Sequence, residues 1–478
     1  MTANDTGARA NSAHSALALT GGWVASAVHG ALVAGDPERI FAGVSIDTRT
    51  LPKGSLYIGI RGERFDGAAF AGAAIAAGAA GVLVPRPHAP VPESVVVIEV
   101  DDTTAALQAL GHAVRRASGA TVIAITGSAG KTTTKEITAD FLAARYRVMR
   151  NRGNFNNHIG LPLSLTELNA RPEMAVVELG MNHAGEIRTL VAIAEPDVRV
   201  WTNVGEAHLG FFTSLDAIAD AKAEILEGAT SSTLLVANAD EPRIVERTAA
   251  FAGRVVTFGI ERAADVRATS VIDRGIDGTT ARVTTPHGAA TVSTPLVGRA
   301  NLENLLAATA VATELGIPLD AIGQRAAGLR PAAHRGEVIR LRGGITVIDD
   351  SYNANPTATQ RALEVLGGST GAQRRVAVLG EMLELGDQAP ALHEAVGRAA
   401  ALAHVDLLLA VGGAPAGALA SAATAAGIAR DRVHHFATSD EAADAAIELV
   451  KPGDLVLVKG SRGVRTDLVV ERLKAERR

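Results

Sequence analysis

Cysteine is absent from this 478-residue sequence, and its absence excludes several kinds of chemistry at once. Without thiols there can be no disulfide bonds, no zinc–thiolate sites and no cysteine nucleophiles. Proteins of reducing compartments commonly do without disulfides. We therefore expect a cytoplasmic protein.

Aromatic residues and positive charge are also scarce. Aromatics make up 3% of the chain and the formal net charge is −5. Proteins that bind nucleic acids usually present a basic surface, and those that bind single strands add aromatic stacking platforms. The composition therefore argues against a nucleic-acid partner.

Long hydrophobic runs are missing as well. The longest apolar stretches, such as 399–411, are interrupted by polar residues, here His404 and Asp406. A membrane helix needs about 20 consecutive apolar residues, so no membrane insertion is expected. Residues 1 to about 15 lack the basic and then apolar order of a secretory signal, and we interpret them as a flexible tail.

What the chain does contain is an alternation of short β-branched runs and helical stretches, which is typical of α/β folds. A chain of this length exceeds a single hydrophobic core. The sequence predicts three domains: a small α/β domain (1–119), a central parallel-sheet domain (120–329) and a C-terminal Rossmann-like domain (330–478). Within the second, the alternating stretch 265–296 predicts an antiparallel meander.

A glycine-rich loop at 126–133, Thr-Gly-Ser-Ala-Gly-Lys-Thr-Thr, lies between a predicted buried strand and a helix. Glycines permit a tight turn, and the N–H groups of a helix N-terminus attract an anion. Lys131 would reach the outer phosphates of ATP, and Thr132 or Thr133 would place a hydroxyl on Mg²⁺. Only two residues separate the glycines, and a glycine turn capping a structural helix is the alternative. The predicted ATP loop comprises Gly127, Ser128, Ala129, Gly130, Lys131, Thr132 and Thr133.

Candidate metal ligands follow two other predicted strands. Glu178 ends one strand, and His208 comes shortly after the next. Because the carboxyl ends of parallel strands meet at one edge of a sheet, the two can converge there. A carboxylate and an imidazole suit a divalent cation beside phosphates. Asn182 and His183 lie on the same edge as weaker candidates, and each of these residues alone could be purely structural.

Lys222 and an asparagine cluster have two interpretations each. Lys222 lies on a predicted helix, where a lysine by itself is usually a solvated surface residue. Asn154, Asn156 and Asn157 could bind polar groups of a substrate, or they could form Asx turns.

Taken together, these motifs resemble the Mur ligase family, whose members add amino acids or peptides to the UDP-linked peptidoglycan precursor. The resemblance covers nearly the whole chain. Its segments are 45–49, 62–67, 126–135, 154–162, 178–187, Thr202 and Asn203 with His208, and 221–225.

The resemblance implies an ATP-dependent amide ligase with magnesium at two sites. It also implies that CO₂ carbamylates Lys222, and that Lys131, Lys222 and His208 are the catalytic residues. The implied magnesium ligands are Thr132, Glu178, His208 and carbamylated Lys222. The implied adenine-side residues are Asn301 and Asn304, the further ATP contacts are Arg335 and Asp350, and the uridine-nucleotide site comprises Ser45, Thr48, Arg49 and Asp66.

Three C-terminal segments resemble one member in particular. Segments 349–356, 379–386 and 459–462 are similar to those of the enzyme that joins D-alanyl-D-alanine to UDP-N-acetylmuramoyl-tripeptide through an acyl phosphate. These two small molecules would be the substrates, and we expect a monomer. The residues implied in substrate binding are Asn154, Asn156, Asn157, Tyr352, Asn353 and Asn355.

Other functions stay open at this point. A nucleotide-driven switch or motor would also use a phosphate loop, although the guanine-reading Asn-Lys-x-Asp motif is absent. A non-enzymatic nucleotide-binding scaffold is a third interpretation. A ligase of the same fold could instead add another amino acid, or add glutamate to folate.

Overall fold

The computed structural model describes residues 16–62, 65–86, 92, 94–206 and 209–477. The predicted tail and His208 therefore lie outside the described residues. The chain forms two compact units, which are treated separately below. Unit 1 comprises the described part of Met1–Thr121 with Asn151–Ala175 and Ile193–Glu195, and unit 2 comprises Val122–Arg150, Val176–Ala192 and Pro196–Arg478.

Unit 1 is built on a small mixed sheet. Among its described residues, five strands lie in the order β1-β5-β4-β3-β2, with β1 antiparallel to β5 and the other pairs parallel. The strands are β1 (Ala31–Ala34), β2 (Val44–Ser45), β3 (Leu56–Ile58), β4 (Gly81–Pro85) and β5 (Val96–Val100), and the helices are α1 (Gly21–Ala27), α2 (Ala71–Ala76) and α3 (Thr103–Ser118).

The central sheet carries the glycine-rich loop. Its order over the described residues is β14-β13-β12-β11-β10-β9-β6-β8-β7. The strands are β6 (Thr121–Thr126), β7 (Val148–Arg150), β8 (Met174–Glu178), β9 (Val198–Trp201), β10 (Leu234–Asn238), β11 (Arg254–Gly259), β12 (Val266–Asp273), β13 (Thr279–Thr285) and β14 (Gly288–Thr294). The helices are α4 (Lys131–Leu142), α6 (Glu186–Ala194), α7 (Leu215–Ala223), α8 (Pro242–Thr248), α9 (Arg299–Glu314) and α10 (Leu319–Ala327). Helix α5 (Gly160–Leu165), which comes between β7 and β8 in the chain, belongs to unit 1.

Two features of this sheet follow from its residue pattern. Strands β6 and β8 to β10 are almost entirely buried apolar runs, as parallel strands covered on both faces require. The predicted meander is confirmed: β12, β13 and β14 pair antiparallel, and β12 also joins the sheet beside β11. Helix α9 is buried on nearly all sides, as expected of a helix enclosed by its neighbours.

The C-terminal sheet is doubly wound, as predicted. Its described strands lie in the order β15-β16-β20-β17-β18-β19, parallel except for β15. Alternate residues of each strand enter two separate hydrophobic cores, Ile348 and Leu379 into one and Val347 and Val378 into the other. The strands are β15 (Glu337–Arg340), β16 (Thr346–Asp350), β17 (Arg374–Gly380), β18 (Leu407–Val411), β19 (Val433–Phe436) and β20 (Asp454–Lys459). The helices are α11 (Pro356–Gly368), α12 (Ala389–Leu402), α13 (Ala414–Ala425), α14 (Ser439–Leu449) and α15 (Asp467–Arg477).

Three sheets in sequence agree with a three-domain α/β fold. The predicted boundaries after residues 119 and 329 fall between the sheets, and they stay a prediction. In the part of the chain that the structure describes, every helix is too short or too polar to cross a bilayer.

Candidate active site

The glycine-rich loop connects β6 to α4, in the predicted order of strand, loop and helix. Both glycines are required by close contacts. A Cβ atom at Gly127 would lie 1.9 Å from Thr202 Oγ1, and one at Gly130 would lie 2.3 Å from Asn304 Oδ1. Gly130 also has a φ of +79°, in the left-handed region that side chains disfavour. The loop is therefore a tightly enclosed turn at the beginning of a helix.

Lys131 is the first residue of α4 and folds back over this turn. Its Nζ donates a hydrogen bond to Gly127 O at 2.8 Å. Burial lowers the pKa of Lys131; nearby Glu178 acts in the opposite direction and Arg335 in the same one. Because the first N–H groups of a helix have no partner within the helix, the ammonium and these amides together form an anion site.

Thr132 and Glu178 are brought together across neighbouring strands. Glu178, at the end of β8, is 2% exposed, and its Oε2 accepts a hydrogen bond from Thr132 Oγ1 at 2.8 Å. Arg335 also approaches this hydroxyl, with its Nη2 at 3.4 Å from Thr132 Oγ1. The β8 carboxylate therefore lies beside the loop, whereas the predicted convergence of Glu178 with His208 stays a prediction because His208 lies outside the described residues. Thr133 follows on α4 and is half-buried.

Lys222 is buried, and the interpretation of this residue as a surface lysine was wrong. It lies on α7 and is 2% exposed. Ile218 and Lys222 share the buried face of α7 because they are four residues apart. Burial lowers the pKa of Lys222 well below its usual value, and the charge of Lys131 adds to this effect. No residue in the described ranges forms a hydrogen bond or ion pair with the Lys222 side chain.

Of the predicted metal ligands, Thr132, Glu178 and Lys222 belong to the described residues and His208 lies outside them. Within the described ranges no three His, Asp or Glu side chains converge into a metal site. The oxygen donors that are present at the loop are the Thr132 hydroxyl and the Glu178 carboxylate.

The two asparagines on α9 support the loop from behind. Asn304 Oδ1 accepts a hydrogen bond from Thr134 Oγ1 at 3.1 Å and lies against Gly130. Asn304 Nδ2 contacts Asn301 Oδ1 at 3.4 Å, and Asn301 Nδ2 donates to Val297 O at 2.8 Å. Both side chains are thus ordered beside the loop.

Residues of the C-terminal lobe complete one side of the site. The guanidinium of Arg335 stacks 4.1 Å over the ring of Tyr352, and that of Arg462 lies 6.0 Å from the same ring. Such stacking holds an arginine in one orientation without neutralising it. Arg335 therefore presents a positive charge beside Thr132.

Asp350 has a partner that the sequence did not reveal. Lys459, 3% exposed, donates from Nζ to Asp350 Oδ2 at 2.6 Å and to Asn353 O at 3.0 Å. The two residues are paired because β16 and β20 are adjacent and parallel, with Asp350 opposite Lys459. Asn355 stabilises the beginning of α11, because its Oδ1 accepts a hydrogen bond from Ala358 N.

The predicted uridine-nucleotide residues lie in unit 1, close to β2 and β3. Ser45 is buried and its Oγ donates to Asp47 O, and Arg49 forms an exposed ion pair with Asp47. The Arg49 side chain and its N–H lower the pKa of Asp47 to about 2. Thr48 is half-buried between them. Asp66 caps a short 3-10 helix and pairs with Arg61 at 2.8 Å.

The asparagine cluster also lies in unit 1 and contains the predicted Asx turn. Asn157 Oδ1 accepts from Ile159 N and from Gly160 N, at 3.2 and 2.8 Å, ahead of α5. Asn156 N donates to Asn154 O at 2.7 Å. The local turn is thus shown, and binding of a substrate by these three residues stays a prediction.

Comparison with known proteins assigns the chain to a protein family. Three family models match it: "Mur ligase family, catalytic domain" over 40–139, "Mur ligase middle domain" over 125–312, and "Mur ligase, glutamate ligase domain" over 334–462. The UDP-N-acetylmuramoyl-tripeptide–D-alanyl-D-alanine ligase of Bacillus subtilis is 36% identical over 91% of this chain and 94% of its own length.

Two solved structures extend this similarity to the fold. MurF from Acinetobacter baumannii superimposes with a TM-score of 0.85 at 32% identity, covering 96% of this chain and all of that one (100%). MurF ligase from Thermotoga maritima in complex with ADP gives a TM-score of 0.79 at 28% identity, covering 91% and 97% of the two chains. The chain therefore belongs to the Mur ligase family.

Proposed function

We propose that this protein is an ATP-dependent ligase that joins D-alanyl-D-alanine to UDP-N-acetylmuramoyl-tripeptide. The observation that carries the proposal is the arrangement of Lys131, Thr132 and Glu178 around the turn between β6 and α4. The buried Lys222, whose pKa the charge of Lys131 helps to lower, supports it. The named activity of relatives that match nearly the whole chain supports this choice of substrates.

In the first step, two anionic groups must approach each other. An oxygen of the terminal peptide carboxylate attacks the γ-phosphorus of ATP, the bond to the β-phosphate oxygen breaks, and ADP leaves. An acyl phosphate results. Lys131, the N–H groups at the start of α4 and Arg335 offset the charge that builds up on the phosphoryl oxygens. Positive charge that is already in place costs no reorganisation during the reaction.

In the second step, the free amine of D-alanyl-D-alanine attacks the acyl carbon. The bond between that carbon and the phosphate oxygen breaks, inorganic phosphate leaves, and the amine loses a proton as the amide forms. The phosphate is a far better leaving group than the oxide of a free carboxylate. This difference is the chemical reason for using ATP.

Lys222 fits the proposed carbamate. A buried ammonium next to Lys131 is unfavourable because both groups are positive and poorly solvated. Burial favours the neutral amine, which alone can add CO₂. The resulting carbamate is an anion, and it would turn a repulsion with Lys131 into an attraction.

The donors at this site also suit magnesium, which prefers oxygen ligands. Thr132, Glu178, the carbamate of Lys222 and His208 would hold it, at one or two sites. When bound, Mg²⁺ neutralises phosphate charge and orients the γ-phosphate.

The remaining residues would bind the three substrates. For adenosine we propose Asn301 and Asn304, with Arg335 and Asp350 as further ATP contacts. For the UDP-linked substrate and the dipeptide we propose Ser45, Thr48, Arg49, Asp66, Asn154, Asn156, Asn157, Tyr352, Asn353 and Asn355. On this assignment residues 1–119 bind the uridine nucleotide, 120–329 bind ATP and 330–478 complete the site.

We also propose a cytoplasmic monomer, for which a single monomeric peak in sedimentation velocity is the test.

The test of this function is product formation with a full set of omissions. With ATP, magnesium, UDP-N-acetylmuramoyl-tripeptide and D-alanyl-D-alanine, we expect amide product and ADP in equal amounts, and no product when any one is omitted. If the tripeptide carboxylate carries a heavy oxygen isotope, one label should appear in the released phosphate. ATP hydrolysis at the same rate with and without both substrates would instead indicate a nucleotide switch. Binding of ATP without turnover would indicate a scaffold. Product formed with another amine or with folate would indicate a different ligase.

A further inference from the structure

Asn203, the second residue after β9, holds the phosphate loop from the neighbouring strand. Its side-chain amide bonds both backbone groups of one loop residue: Oδ1 accepts from Ala129 N at 2.9 Å, and Nδ2 donates to Ala129 O at 3.0 Å. Its backbone carbonyl accepts from Ser128 N at 3.2 Å. One residue thus fixes two consecutive residues of the loop.

Adjacent residues reinforce this attachment. Thr202 Oγ1 donates to Ala129 O at 3.0 Å. Ser128 Oγ donates to Gly205 O and accepts from Gly205 N, at 3.1 and 2.9 Å. The segment after β9 therefore binds the backbone groups of residues 128 and 129 and the hydroxyl of Ser128.

The attachment decides which amides can face a ligand. The N–H groups of Ser128 and Ala129 are directed to Asn203, so they are not available to a phosphate. The unpaired N–H groups at the beginning of α4, with Lys131, are left to bind the anion. The loop is consequently held in one conformation by bonds made entirely within the protein.

We infer that Asn203 is a positioning residue that preorganises the phosphate loop for ATP. This inference rests on the proposed ATP-dependent function and deepens it. Gly127 and Gly130 make the loop intrinsically flexible, and ordering flexible backbone opposes binding. Because the Asn203 amide has already imposed this order, ATP binds without that entropic cost.

Three variants of the full-length protein test the inference. Asn203→Ala removes both side-chain bonds. Asn203→Asp keeps an acceptor for Ala129 N but loses the donor to Ala129 O and adds a negative charge beside the phosphates. Asn238→Ala is the matched control: Asn238 ends the next strand, is 4% exposed, and donates to Thr202 O at 2.9 Å without touching the loop.

Direct binding of a non-hydrolysable ATP analogue with magnesium is the main measurement. We expect Asn203→Ala to raise the Kd of the ATP analogue on the order of tenfold, which is the change expected from the loss of one or two hydrogen bonds. Asn203→Asp should bind more weakly still and recover partly at high salt, because added salt screens its charge. In turnover, both Asn203 variants should raise KM for ATP and leave KM for the UDP-linked substrate unchanged. The control Asn238→Ala should lower the melting temperature without changing the Kd of the ATP analogue.

Each other outcome overturns the inference. Wild-type affinity in Asn203→Ala, or an equal loss in Asn238→Ala, would show that Asn203 supports the fold and not the nucleotide site. If Asn203→Ala does not fold, Asn203→Asp carries the test, and unchanged affinity there has the same meaning. If the wild-type protein itself binds no ATP analogue, the proposed function fails first, and the inference fails with it.

Discussion

Lys222, to which we assign a catalytic role, is buried where its charged form is unfavourable. The neighbouring positive charge of Lys131 and the loss of solvent both disfavour its ammonium form. The unfolded chain keeps the proton up to about pH 10.4, whereas the folded chain releases it at lower pH. Between these two pKa values the unfolded state binds more protons, so stability rises with pH there.

Substituting Lys222→Met should therefore stabilise the protein while abolishing its activity. In CO₂-free, magnesium-free buffer at neutral pH we expect the melting temperature to rise by about 2–4 °C, the shift that corresponds to roughly 1 kcal/mol. The stability of the variant should also depend less on pH between neutral and alkaline conditions. Differential scanning calorimetry measures both.

Lys451→Met is the matched control, because Lys451 is exposed and its removal should change little. A second control addresses the carbamate: Lys222→Ala should be inactive and partly rescued by short carboxylic acids. Full activity of Lys222→Ala, or equal stabilisation in Lys451→Met, would contradict the account of this residue.

His334 adopts a backbone conformation that its residue type disfavours. Its φ is +61°, and its Nδ1 lies 2.8 Å from Oδ2 of Asp349, which is 1% exposed. The other carboxylate oxygen accepts from the Ser351 hydroxyl at 2.5 Å and from Ser351 N at 3.2 Å. A buried carboxylate needs such partners, so the bond from His334 offsets the strain of its backbone and fixes the residue before Arg335.

Two substitutions separate these contributions. His334→Ala loses the imidazole and keeps the backbone strain, whereas His334→Gly loses the imidazole and relieves the strain. We expect urea unfolding to show both variants destabilised, with glycine about 1 kcal/mol more stable than alanine. At His404, which is exposed with φ +54°, glycine should instead be neutral or stabilising. Equal stability of the two His334 variants would contradict this explanation.

At the scale of elements, the sequence predicted the strands well and the side-chain partners poorly. Strand β18 (Leu407–Val411) is a fully buried apolar run with clear limits, which is the pattern by which a buried parallel strand is recognised in a sequence. The strand–loop–helix order at 121–142 was equally clear. The pairing of Asp350 with Lys459 was not, since it depends on which strands are neighbours in the sheet. The residue pattern alone also led to Lys222 being interpreted as a surface lysine, although Ile218, four residues before it, indicates a buried helix face.

His393 joins α12 to the turn after β17 and makes this junction sensitive to pH. It is fully buried; Nε2 accepts from Met382 N at 2.9 Å, and Nδ1 donates to Ala389 O at 2.7 Å. Burial lowers its pKa below the usual 6.5. The unfolded chain therefore binds the proton first as pH falls, and the stabilising contribution is lost as pH drops from about 6.5 through the folded pKa.

Denaturant unfolding at several pH values tests this. The wild-type protein should lose stability more steeply on acidification below pH about 6.5 than His393→Gln, which cannot gain the proton. His287→Gln, at an exposed turn, should follow the wild-type curve. Parallel curves for wild type and His393→Gln would show that this histidine does not titrate on unfolding.

At the scale of the whole molecule, the residues of the proposed active site lie where the central and C-terminal sheets approach each other within unit 2. Glu178 ends β8 of the central sheet, and Lys131 and Thr132 begin α4, which follows the neighbouring strand β6. Arg335 of the C-terminal lobe lies beside the Thr132 hydroxyl. Arg361 on α11 adds a second link by pairing with the buried Glu303 of α9 at 3.1 Å. A site assembled from two lobes suits a reaction whose acyl phosphate must be kept from water.

The most direct test of the central claim is a crystal structure with a non-hydrolysable ATP analogue and magnesium. The account predicts the β- and γ-phosphates at the beginning of α4, with Lys131 Nζ on the γ-phosphate and the metal ion contacted by Thr132 and Glu178. A nucleotide bound elsewhere, with the turn at 127–130 empty, would contradict it.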